Sequence, residues 1–167
     1  RDWSSDVCSS DLASGARLTL WDRDPTGLEK AVHTLQASAA GSGINTFAVD
    51  VASHASVADT ARRTQAIAPV DILVNSAGVS GVNAKLWDYP TDAWEEIINI
   101  NLNGTFFCCR ELVPGMRERN YGRIVNIASI AGKMASTLNH PIYNVSKAAV
   151  IAMTKTLAHA GAKQRVR

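Results

Sequence analysis

Cysteine is scarce, charge is balanced and no apolar run is long, and each shortage removes a class of protein. The three cysteines include two neighbours, Cys108 and Cys109, a set that builds neither a disulfide framework nor a metal-ligand spacing. Seventeen Lys and Arg against fifteen Asp and Glu leave a net charge of +2, too small for a nucleic-acid footprint. Apolar stretches such as Ala148 to Met153 fall far below the roughly 18 residues that span a bilayer. The opening residues lack the basic region and apolar core of a signal peptide. A secreted mini-protein, a membrane protein, a nucleic-acid binder and a zinc module are set aside, and Cys108 and Cys109 read as core thiols of a reducing cytoplasm. What is present is ordinary globular material. The 167 residues, 46% hydrophobic and 19% charged, suffice for one domain with a core.

Both ends look foreign to that domain. The chain opens at Arg1, and Ser4-Ser5-Asp6-Val7 is echoed by Ser9-Ser10-Asp11-Leu12, a polar tandem without helical or strand period. Residues 1–12 resemble one reading frame of a sequencing-adapter oligonucleotide. They are expected to be a non-native or disordered leader, with the domain proper over residues 13–167. Gln164 to Arg167 look like a strand just beginning, so the chain is expected to be a fragment cut at both ends.

Between the ends, strands alternate with helices. Leu18 to Trp21 is a strand-prone run, and Asp24-Pro25-Thr26-Gly27 supplies turn and cap chemistry. Leu28, Ala31, Val32 and Leu35 then recur at helical spacing over Leu28 to Ala37. Gly41 and Gly43 precede a second strand, Ile44 to Val51. Ser53 or Ser56 can cap a helix carrying Val57, Ala61, Ala66 and Ile67. Val70 to Val74 reads as a strand buried on both faces. A long helix follows from Thr91 to about Met116, with Gly104 and Pro114 inside it. Arg123 to Ala128 is a fourth strand, and Pro141 suits the first position of a last helix. This alternation implies an α/β fold, a parallel sheet with helices on both faces. Ligands of such sheets lie at the carboxyl ends of the strands, here just after Trp21, Asp50, Val74 and Ala128.

Chemistry-bearing residues stand at those places. Asp22 closes the first strand, where an acid can accept bonds from a dinucleotide's ribose hydroxyls and repel a 2′-phosphate, although Arg23 beside it could bind that phosphate. Asn75-Ser76-Ala77-Gly78 follows the third strand; Gly lets a ligand approach the backbone, and Asn can hold the loop open. Trp94, Ile97, Ile98 and Asn101 fall on one helical stripe, which places an amide where an apolar residue belongs. Ser129 ends the fourth strand. Tyr143 and Lys147 are four residues apart on one face of the last helix, and an ammonium beside a phenol favours the phenolate.

Taken together, these elements resemble the short-chain dehydrogenases/reductases, in their short single-domain branch, from about Ala13 to the last residue. The resemblance implies a doubly wound, Rossmann-like sheet and an enzyme that interconverts a secondary alcohol and a ketone by hydride transfer with NAD or NADP. It makes Asp22 the acid that favours NAD, Asp50-Val51 the pair near the adenine, and Asn75, Ala77 and Gly78 the remains of an Asn-Asn-Ala-Gly motif in which Ser76 replaces the second Asn. It makes Asn101 the anchor of a proton-relay water, Ser129 the group that polarises the substrate carbonyl, Tyr143 the acid/base, and Lys147 the ribose ligand that eases proton loss from Tyr143. It requires no metal. Tyr143 follows Ser129 by fourteen positions, one more than the family usually shows, which implies a longer loop over Lys133 to His140. The family's first strand and Gly-rich turn would precede residue 13, and a further strand and substrate lid would follow Arg167. The chain as written is therefore expected to bind cofactor poorly and to be inactive.

Two other readings compete. A sugar-nucleotide epimerase or dehydratase shares Tyr-x-x-x-Lys but usually differs at the Asn75-to-Gly78 motif. A non-catalytic dinucleotide-binding protein would need no acid/base, and the set of Asn101, Ser129, Tyr143 and Lys147 argues against it. Trp87 and Trp94 read as packing residues, with Trp87 near the crevice mouth. His33, His54, His140 and His159 have no metal spacing, and His140 could face substrate. Ala148, Ala149 and Ala152 make the last helix apolar nearly all round, so it is expected to be buried, and the family resemblance implies that a partner subunit of a homotetramer or homodimer covers it. The substrate pocket, Val79 to Tyr89 with the Lys133 to His140 loop, tilts toward a polar hydroxy compound such as a sugar acid, or a 3-oxoacyl thioester.

Overall fold

Every described strand runs parallel to its neighbour and is joined to it through a helix, as the alternation requires. The computed structural model describes Leu12 and residues 14–38, 43–135 and 139–167. Most of the leader, Gly41 and the centre of the Lys133 to His140 loop lie outside these. The chain falls into two compact units, Arg1–Asp50 and Val51–Arg167.

In the first unit β1 (Leu18–Asp22) pairs with β2 (Ile44–Ala48), Leu18 opposite Ile44 and Asp22 opposite Ala48. Helix α1 (Pro25–Ser38) joins them. Asp24 prepares its start by accepting the Thr26 N–H on Oδ1 at 3.0 Å, and Pro25 needs no partner at the first helical position. Leu28 and Leu35 are buried along its inner stripe. Leu12, the last residue of the leader, is also buried, and its carbonyl accepts the Gly15 N–H at 2.9 Å.

The second unit holds the candidate catalytic residues. Helix α2 (His54–Ile67) starts at Ser53, whose hydroxyl accepts the Ser56 N–H, which settles the two capping candidates. Its buried stripe is Val57, Thr60, Ala61 and Thr64; Ala66 and Ile67 are exposed, contrary to expectation. Strand β3 (Ile72–Asn75) pairs with β4 (Arg123–Asn126) from Ile72 opposite Arg123 to Asn75 opposite Asn126. The expectation that this third strand is buried on both faces fails. Leu73 is buried while Ile72 and Val74 stay exposed, because the described elements cover one face of the pair and leave the other open.

The long helix is interrupted. It runs as α3 (Thr91–Ile97), a π-helical segment (Ile98–Asn103) and α4 (Gly104–Glu118), and Pro114 is accommodated within α4. The stripe of Ile97, Ile100, Cys108, Leu112 and Met116 is buried, so the wider π turn carries the apolar face across Asn101. A short helix α5 (Ala131–Met134) precedes α6 (Pro141–Gly161), which begins at Pro141 as expected. Val166 forms an isolated parallel bridge to Gly122 and is buried. Helix α6 is not covered all round within the chain: Val145, Ala148 and Ala152 remain exposed. Trp87, on the 3-10 turn Leu86–Asp88, is 81% exposed and so does not pack, whereas Trp94, 40% exposed, has the larger part of its surface covered. Among the described residues, no helix is long and apolar enough to cross a membrane.

Candidate active site

The site is built around a buried amide. Asn101 is 1% exposed at the centre of the π segment. Its Oδ1 accepts the Val79 N–H at 2.8 Å, and its Nδ2 donates to the Val79 carbonyl at 2.9 Å and to Ser146 Oγ at 3.0 Å. The two bonds to Val79 match a backbone N–H and C=O against an amide, so they fix both the loop after β3 and the orientation of the side chain. The Asn101 carbonyl in turn accepts the Thr105 hydroxyl at 2.9 Å. The helical stripe thus predicted the burial of Asn101, but nothing in the spacing announced the π turn.

Gly78 brings loop and helices to one point. A Cβ there would lie 3.2 Å from Asn101 Oδ1, tighter than most real contacts, and 3.4 Å from Lys147 Nζ, in contact with it. Lys147 is 5% exposed, and its ammonium donates to the Ile127 carbonyl at 2.7 Å. It stands 5.7 Å from the centre of the Tyr143 ring, so the phenol and the ammonium share a face of α6 as their spacing requires. Burial pushes the ammonium pKa below its ordinary 10.5. One proton goes to Ile127, which leaves two for other acceptors.

Ser129 stands at the entrance to α5. Its Oγ accepts the Ala131 N–H at 3.1 Å and keeps its own proton to donate. Helix α5 lies against α6 at Gly132, where a Cβ would fall 2.6 Å from the Lys147 carbonyl carbon and 2.7 Å from the Ala148 nitrogen. That contact brings the Ser129 turn to the helix of Tyr143 and Lys147. His140, directly before α6, has a buried Nδ1 without a partner among the described residues.

Other candidates are placed differently from expectation. Asn75 does not hold the loop open; its Nδ2 donates to Asn126 Oδ1 at 2.8 Å and to Cys109 Sγ at 3.5 Å. Because Asn75 and Asn126 are register partners, their side chains meet across the strands, and Asn126 extends the chain of bonds to Thr154 Oγ1 at 2.9 Å. Ser76 and Ala77 are exposed. Val51 packs on the start of α4, where a Cβ on Gly104 would meet its Cγ2 at 3.0 Å. Asp22 and Asp50 belong to the first unit and are exposed, and Asp22 Oδ1 accepts the Asp24 N–H at 2.9 Å in a local turn. Sequence reasoning missed Ser146, Thr105, Gly132 and the Ile127 carbonyl. For Ser146 a signal existed: it interrupts the apolar stripe of Ile142 and Val150.

Residues 5–167 match the family model described as short chain dehydrogenase. The chain belongs to the short chain dehydrogenase family. Within it, the chain is 41% identical over 152 residues to 2-dehydro-3-deoxy-L-rhamnonate dehydrogenase (NAD(+)) of Sphingomonas sp. (strain SKA58), covering 90% of this chain and 58% of the relative. It is 34% identical over 166 residues to galactitol 2-dehydrogenase (L-tagatose-forming) of Cereibacter sphaeroides, covering 97% and 62%. The crystal structure of an NAD+-bound xylitol dehydrogenase superposes with a TM-score of 0.88 at 32% identity, covering 98% of this chain and 63% of that one. The chain therefore spans about 60% of the length of these relatives. The α/β fold with parallel strands is that of short chain dehydrogenases.

Proposed function

We propose that this protein is an NAD(P)-dependent oxidoreductase that interconverts a secondary alcohol and a ketone, with Tyr143 as the acid/base. The observation that carries the reading is the buried Lys147 ammonium, anchored on Ile127 at 2.7 Å and 5.7 Å from the Tyr143 ring. The dinucleotide suits the donor set. Gly78 provides a cradle that a Cβ would fill, and Lys147 keeps two protons for ribose hydroxyls. Bound nicotinamide would give or take the hydride.

Tyr143 would give its hydroxyl proton to the carbonyl oxygen in reduction and take it back in oxidation. The Lys147 ammonium, 5.7 Å from the Tyr143 ring, would stabilise the negative charge that develops on the reacting oxygens as the proton moves. Ser129 would donate its free proton to the substrate oxygen. Asn101, with its side chain fully engaged, would offer only its carbonyl to a relay water, shared with Thr105.

Similarity to dehydrogenases of a sugar acid and a sugar alcohol supports a polar hydroxy compound as substrate, with His140 at the pocket. An exposed Asp22 supports NAD over NADP. The exposed Val145, Ala148 and Ala152 support a homo-oligomer, and the buried thiols fit a cytoplasmic setting. The test is Tyr143→Phe in the protein restored to the length of its relatives. Alcohol oxidation followed as reduced nicotinamide should fall by about 10³-fold or more while NAD binding persists. Undiminished turnover would remove the assignment.

A further inference from the structure

Ser146 is a fully buried hydroxyl to which the acid/base reading gives no task. It lies on the inner stripe of α6 between Ile142 and Val150, where an alanine would complete an apolar surface. The hydroxyl instead makes two directional bonds. It accepts the Asn101 Nδ2 proton at 3.0 Å and donates to the Tyr143 carbonyl at 2.9 Å. Asn101 is already clamped to both backbone groups of Val79. A continuous path therefore runs from the loop behind Gly78, through Asn101 and Ser146, to the backbone of the turn that carries Tyr143. Lys147 is the next residue on that turn.

Apolar packing alone holds a helix poorly against rotation about its axis, because small and medium side chains can exchange grooves. A hydrogen bond of fixed direction between elements resists it: Asn101 donates across to Ser146, whose hydroxyl is itself oriented by the Tyr143 carbonyl of its own helix. We propose that Ser146 is a positioning residue that fixes the rotational setting of α6, so that the Tyr143 phenol and the Lys147 ammonium both face the loop opened by Gly78. Its kinetic consequence rests on the acid/base reading; its structural consequence does not.

Ser146→Ala and Ser146→Thr test it. In the 167-residue protein, Ser146→Ala should speed hydrogen exchange at the Val79 amide by about tenfold, and Ser146→Thr, which keeps the hydroxyl, should hold it near wild type. In the protein restored to the length of its relatives, Ser146→Ala should lower kcat about tenfold and raise the KM for NAD by a few-fold, since Lys147 is set by the same turn, and the acidic limb of the pH–rate profile should move to higher pH. Ser146→Thr should recover most of that loss. Unchanged Val79 exchange in Ser146→Ala overturns the proposal. So does a fall in kcat that merely follows the folded fraction or leaves the pH profile in place. If the restored wild-type protein oxidises no alcohol, the acid/base reading fails, and exchange at Val79 alone decides the role of Ser146. If Ser146→Ala does not fold, the threonine variant decides, since wild-type exchange at Val79 supports the hydroxyl's role and faster exchange overturns it.

Discussion

The Lys147 ammonium donates to the Ile127 carbonyl at 2.7 Å, and this bond ties the helix of Tyr143 to the residue that follows β4. It holds a charge where burial disfavours charge, and the opposition is measurable as a pH dependence.

Lysine burial lowers the folded-state pKa below the usual 10.5. Between the lowered value and 10.5 the unfolded chain binds the extra proton, so stability rises with pH across that window. Lys147→Met removes the titration. The wild type should therefore gain stability relative to Lys147→Met as pH climbs toward 10.5, and the difference should level off above it. Urea denaturation of both proteins from pH 7 to 11 checks this, and parallel curves would contradict it.

Gly132→Ala sets two effects against each other. Alanine favours a helix over glycine by roughly 0.5–1 kcal/mol. Here the added methyl would stand 2.6–2.8 Å from backbone atoms of Lys147 and Ala148, and backbone cannot swing aside. The clash should win, with a net loss of about 1–3 kcal/mol in chemical denaturation. A neutral or stabilising result would mean that α5 can slide on α6.

Gly81 and Gly15 both hold positive φ, +73° and +83°, and differ in their surroundings. Nothing lies within 4 Å of a Cβ on Gly15, whereas one on Gly81 would collide with Ile97 Cδ1 and Tyr89 Oη. Gly15→Ala should cost only the left-handed backbone penalty of about 1–2 kcal/mol. Gly81→Ala should cost about 1–3 kcal/mol more. Equal losses in parallel thermal melts would refute the role of crowding.

Cys108 and Cys109 should be inert in the folded protein. Burial, and for Cys108 also the neighbouring thiol, pushes Cys108 up to about 12; burial pushes Cys109 up to about 11 despite the Asn75 bond. At pH 8 almost none of either is thiolate, the form that reacts. Peptide mapping after iodoacetamide treatment should find both unmodified until urea unfolds the chain. Rapid labelling of either under native conditions would show that α4 opens locally.

The alternation of strands and helices was legible because it rests on local chemistry. Ser53 and Pro141 mark helix starts through their own bonding capacity, and the Leu28–Leu35 stripe follows from geometry alone. The pairing of Tyr143 and Lys147 was equally local, one turn of one helix. What escaped was set by partners distant in sequence. Asn75 turned across the strands because β4 presents Asn126 in register. Ile72 and Val74 form a continuous apolar run, and composition cannot tell which face is covered. Ser146 gains meaning only beside Asn101, 45 positions away.

The π segment at Ile98–Asn103 works like an extra tooth on a gear. One residue more than the regular winding demands is absorbed there without breaking the rod, and the face downstream keeps its heading. Removing any single residue between 98 and 103 would let the rod wind evenly. Ile97 and Met116 would then stand eighteen positions apart, five whole turns, and would still face the same interior, so what the irregularity adds is the wider turn that seats Asn101 among apolar neighbours.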